Sequence, residues 1–74
     1  MEQATVFYGG RFHLFAEDAA EGMGVSAGTL SNWRASKEGP PYVTYRGRTL
    51  YPIDGLIVWS YERALLLERE LALR

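Results

Sequence analysis

Apolar and polar residues change period along this chain in a way that predicts two hairpins and three helices. Residues 4–15, ATVFYGGRFHLF, set two aromatic and β-branched runs on either side of Gly9-Gly10. A Gly-Gly link supplies the positive φ angles that a two-residue hairpin turn needs, so this stretch predicts a β-hairpin. Phe12 and Phe15 break the alternation, and an irregular extension that packs its aromatics onto the domain is the alternative.

Residues 16–23, AEDAAEGM, predict a short helix. Glu17 and Asp18 fall in its first turn, where acids suit the helix dipole. Ala19 and Ala20 are small enough to admit a second helix, and Gly24 ends the first. Ser26 then caps the second helix, with Val25 placed before the cap to staple onto Leu30. Leu30 and Trp33 turn toward the first helix, which leaves Ala27, Gly28, Ser31 and Asn32 facing outward. Gly39-Pro40-Pro41 stops it.

Residues 42–51, YVTYRGRTLY, predict a second hairpin with Arg46-Gly47-Arg48 as a basic tip. Pro52 and Asp54 suit the first turn of a last helix, which nothing breaks before Arg74. Ile53, Leu56, Ile57, Ser60, Ala64, Leu67 and Leu71 form one stripe at helical spacing, predicted to cover the domain. Trp59, Leu65, Leu66 and Leu73 lie off that stripe. A helix apolar on more than one side is wrapped by more than its own small domain. Leu65, Leu66 and Leu73 are therefore assigned to a homodimer contact, the alternative being that the first hairpin folds over them.

The fold class expected is α+β, a small winged helix-turn-helix with an N-terminal β-hairpin and a long C-terminal helix. Seventy-four residues make one domain: residues 1–15 the hairpin or extension, 16–59 the core, 60–74 a helical extension. Apolar residues at 47% and charged ones at 23% are globular composition. Cysteine is absent and His13 is the single histidine, so no metal site or disulfide is expected. No apolar run approaches the length of a membrane span, and a cytoplasmic protein is expected. Nothing resembles a nucleophile motif, a phosphate-binding loop or a cofactor fingerprint. Glu17, Asp18 and Glu21 share one short helix with no partner base, and a non-enzyme without cofactors is expected.

Charge changes this picture. The whole chain carries −1, awkward for a nucleic-acid binder. Yet residues 1–25 hold one arginine against four acids, net −3, and residues 52–74 three arginines against four acids, net −1. Residues 26–51 hold Arg34, Lys37, Arg46 and Arg48 against Glu38 alone, net +3. Positive charge is thus confined to the second helix and second hairpin, as contact with DNA phosphates requires. Ser31 and Asn32 are candidates for base edges, Arg34, Lys37, Arg46 and Arg48 for phosphates. Ser26, Ala27 and Thr29 stand at the helix start, where contact with the backbone is expected. Trp33 and Trp59 are expected in the core.

The stretch from Phe15 to Trp59 resembles the excisionase and AlpA-type regulators of phages and mobile elements, which share a winged helix with the MerR regulators. Ala19-Ala20, Gly24-Val25-Ser26, Thr29-Leu30, Trp33, Gly39-Pro40-Pro41, Gly47-Arg48, Tyr51 and Asp54 with Leu56 and Trp59 carry the resemblance, over about three-fifths of the chain. It implies binding of double-stranded DNA through the second helix and the wing without catalysis. It also implies either steering of an integrase toward excision or regulation of transcription. Two departures stand out: Ala16 occupies a place where the family commonly has a Ser or Thr cap, and Gly22 replaces a usual leucine, a volume that an N-terminal aromatic could refill. Two other functions fit the same elements: a protein-interaction module with little DNA binding, and the DNA-recognition domain of a phage packaging subunit.

Overall fold

A computed structural model describes residues 4–73. In chain order it contains β1 (Thr5–Tyr8), β2 (Arg11–Phe15), α1 (Ala16–Met23), α2 (Ala27–Ala35), β3 (Val43–Tyr45), β4 (Arg48–Pro52) and α3 (Ile53–Ala72). The protein is small and α+β, one four-stranded antiparallel sheet in the order β1-β2-β4-β3 with three helices, the last of them long. Arg74, expected at the end of the last helix, lies outside the described residues.

Both hairpins turn through two residues at positive φ: Gly9 and Gly10 at 61° and 81°, Arg46 and Gly47 at 50° and 75°. These are the angles at which the turn twist matches the strand twist. Arg48 pairs with Tyr45 and opens β4, so the tip is one residue shorter than the expected Arg46-Gly47-Arg48.

Antiparallel partners share a face, so register sorts the sheet. Leu14 and Tyr51 are paired and turn toward the helices. His13, Phe15, Leu50, Pro52 and Tyr45 fall on the other face with Tyr8. In a flat sheet the edge strands β1 and β3 would stand about 14 Å apart, three strand spacings. Instead the rings of Tyr8 and Tyr45 lie 4.6 Å apart. The sheet therefore coils until its two edges meet, and His13 and Leu50 are buried inside the curl without a helix of their own. His13 Nδ1–H donates to the Arg11 carbonyl at 3.0 Å, which satisfies that nitrogen in its buried site.

The main core lies on the other face. Ala19 and Ala20 of α1, Leu30 of α2, Tyr51 of β4 and Leu56 of α3 form it, with Val25 and Trp33 packed alongside. Two small alanines let α1 and α2 approach closely, as their sequence suggested. Gly24 at φ 74° closes α1: its N–H bonds the Glu21 carbonyl at 3.1 Å and that of Val25 bonds Ala20 at 3.0 Å. Two otherwise orphaned carbonyls are satisfied, and Val25 is aimed at the core beside Leu30. At the other end of α1 the cap residue is Phe15, without a side-chain bond, so Ala16 is the first helical residue and not the cap.

One expectation for α3 fails, and so do two alternatives tied to it. Its stripe covers the domain only as far as Leu56: Ile57 and Leu71 are 64% and 65% exposed, and Leu67 is half exposed. Twenty residues of helix are about 30 Å long, whereas the molecule measures 45 × 25 × 22 Å. The distal half of the helix simply outruns the body. Nor does the first hairpin fold over Leu65, Leu66 and Leu73, all of which are exposed. Phe7 and Phe12 pack edge to face on each other at 4.9 Å and remain exposed, so no N-terminal aromatic refills the space beside Gly22. That space is an open apolar groove between α1 and α3.

Candidate nucleic-acid interface

The start of α2 is built by its own cap. Ser26 Oγ accepts the Thr29 N–H at 3.0 Å and lies 2.9 Å from the Thr29 hydroxyl. Both hydroxyls are thereby occupied with each other, and capping is the role the geometry gives Ser26. Ala27, Ser31 and Asn32 are exposed on the outer face, as expected.

Arg34 is placed otherwise than a free phosphate anchor. Its Nη1 donates to the Tyr51 hydroxyl at 2.7 Å, and the guanidinium lies 5.9 Å from the rings of both Tyr51 and Tyr42. Tyr51 is fully buried, so its hydroxyl needs a partner inside the protein. Arg34 supplies it and in doing so fixes α2 against the base of the β3–β4 hairpin. Arg34→Met is expected to lower stability by about 1–3 kcal/mol, the consequence of a buried hydroxyl left unsatisfied. A thermal melt of that variant together with Tyr51→Phe checks this: the double variant should fall well short of the two losses added.

The second turn of α2 ends in an unusual way. Lys37 sits at φ 59°, with its N–H on the Arg34 carbonyl at 3.2 Å and the Glu38 N–H on Trp33 at 2.7 Å. This is the same closure that Gly24 gives α1, made here with a side chain that the left-handed region disfavours by about 1–2 kcal/mol. Arg46, at φ 50°, is the other described residue besides glycine with positive φ. Both positions thus carry exposed cations where glycine or asparagine would fit without strain.

No family model, curated protein or solved structure matches this chain.

At the hairpin tip, aromatic rings orient the cations. Arg46 stands 5.3 Å over Tyr45 and Arg48 4.3 Å over Phe15, which holds the guanidinium groups on the sheet while leaving both residues exposed. Lys37 and Arg34 flank an open groove of about 320 Å³ between the end of α2 and Tyr42. One cation escaped the sequence reading. Arg63, counted among the residues of the acidic tail, lies 5.2 Å from the ring of Trp33 and 5.3 Å from that of Trp59, and the two indoles pack at 5.2 Å. Its charge is thereby carried back to α2. The available signal was Trp59 one helical turn before Arg63. Arg11, in contrast, is spent on an exposed ion pair with Asp54 at 3.5 Å, an interaction worth little.

Proposed function

We propose that this chain is a winged helix-turn-helix protein that binds double-stranded DNA. On this reading α2 enters the major groove, the β3–β4 hairpin serves as the wing on the phosphates, and the protein acts as a regulator or excisionase of a mobile element. One observation carries the reading: cations stand at two strained backbone positions, Lys37 at the end of α2 and Arg46 at the hairpin tip. Strain of this kind is retained where a side chain has work to do. The order of helix, glycine turn, helix and basic hairpin supports it, as does the exposure of Ser31 and Asn32 on α2.

Selection of duplexes from a random pool tests specificity. On a selected site Asn32→Ala is expected to reduce preference over random duplex by about 1–3 kcal/mol while sparing non-specific binding, as loss of a base-edge contact does. Loss of both together would assign Asn32 to the backbone or the fold. With two copies bound, protected half-sites should lie about one helical turn apart.

The exposed apolar residues of α3, and Phe7 and Phe12, favour a second reading, a protein-interaction module on this fold. It predicts no mobility shift on any duplex at low salt.

A further inference from the structure

The apolar side of α3 continues straight into the groove beside Gly22. That groove, about 370 Å³, is lined by Leu14, Gly22, Met23, Ile53, Leu56 and Ile57. A Cβ at Gly22 would meet nothing within 4 Å, so the chain itself offers nothing to fill it. Past the body the same helix presents Ala64, Leu67 and Leu71, all exposed. Ile57 and Ser60 stand seven and four residues before Ala64, Leu67 and Leu71 three and seven after it. Reversing the helix about Ala64 therefore lays the seam on itself.

We propose that a second copy of this chain packs its α3 antiparallel along this seam and seats its Leu71 in the groove beside Gly22. Reversal about Ala64 puts Leu71 of one copy level with Ile57 of the other and Leu67 within one residue, about 1.5 Å, of Ser60, a large residue against a small one. Ala64 faces itself, and its small side chain permits close approach. Parallel pairing would set Ser60 against Ser60 and leave the grooves unfilled. It would also crowd two copies of α1 together, because α1 walls the seam at Ile57. In the antiparallel pair each α1 meets only the slender tail of the other copy. Residues of this size at these exposures leave roughly 100 Å² each, so Ile57, Tyr61, Leu65, Leu67 and Leu71 from two copies offer at most about 1,000 Å² for burial, where specific interfaces begin. Leu65 flanks this seam. Leu66 and Leu73 point to the opposite side of the helix and remain outside the contact, which narrows the set expected from sequence.

The chain has no cysteine, which makes the test clean. Ile57→Cys and Leu71→Cys, mixed and oxidised, should form a disulfide-linked heterodimer, while neither variant links to itself. In the antiparallel pair two copies of position 57 lie about 21 Å apart along the axis, beyond disulfide reach. Gly22→Leu, whose Cβ meets nothing within 4 Å and whose side chain enters the open groove, should weaken the dimer at least tenfold by sedimentation while the circular dichroism spectrum stays that of the folded chain. Self-linking of Ile57→Cys, a monomer at 50 µM or full-strength dimerisation of Gly22→Leu would each overturn the proposal.

Discussion

Lys37→Gly combined with Arg46→Asn is expected to melt higher than the natural chain and to bind duplex DNA far less tightly. Each substitution places a residue that tolerates positive φ where the backbone already has it. Relief of about 1–2 kcal/mol at each site is partly offset by the larger unfolded-state entropy of glycine. Arg46→Asn also gives the turn the Asn-Gly pair that such hairpins favour. A net gain near 1 kcal/mol would raise the melting temperature by about 4–8 °C. Binding should move the other way. Loss of two phosphate contacts reduces the slope of log affinity against log salt by about two, and near 50 mM salt lowers affinity by about a hundredfold. A rise in stability with affinity unchanged would make these cations mere strained surface. A fall in stability would mean that their side chains hold the turns together.

Gly39→Ala is expected to destabilise the fold by about 2–4 kcal/mol, a large share of the roughly 4–11 kcal/mol such a chain commands. Gly39 has φ 84°, and an added Cβ would lie 2.9 Å from Trp33 Cβ and 3.0 Å from its ring. Trp33 cannot retreat, because Trp59 packs on its indole and Arg63 covers both. The change therefore displaces the link between α2 and α3 and adds backbone strain. Denaturant unfolding checks it; a loss below 0.5 kcal/mol would show that Trp33 is free to move. Gly55 is a milder case, where an added Cβ would stand 2.7 Å from Pro41 Cγ but helix propensity would improve.

Local chemistry was legible in this sequence and distant pairing was not. Gly9-Gly10, Gly24 and Ser26 act within a few residues, and the turns and the start of α2 fall where they predict; Pro52, expected in the first turn of the last helix, instead closes β4 and caps α3 one residue earlier. The joining of the hairpins depends on Phe15 meeting Leu50 and His13 meeting Pro52, and the coil of the sheet on Tyr8 meeting Tyr45. No periodicity within either hairpin encodes those meetings. Arg34 shows the same limit at the site. Its charge on a basic helix suggested phosphate, but a buried tyrosine hydroxyl seventeen residues away claims it. The stripe on α3 was read correctly as apolar and wrongly as internal, since a period reports which residues share a face and not what that face meets. Lys37 and Arg46 were chosen for charge alone; that both occupy left-handed backbone became visible only with the dihedral angles.

Salt-dependent binding of the natural chain to a fluorescent random duplex tests the central claim most directly. Anisotropy from about 20 to 200 mM salt should give saturable binding that weakens with a log–log slope of about −2 to −4, matching Lys37, Arg46 and Arg48 on the phosphates. A folded chain that leaves the anisotropy unchanged at 20 mM salt and tens of micromolar protein would contradict DNA binding.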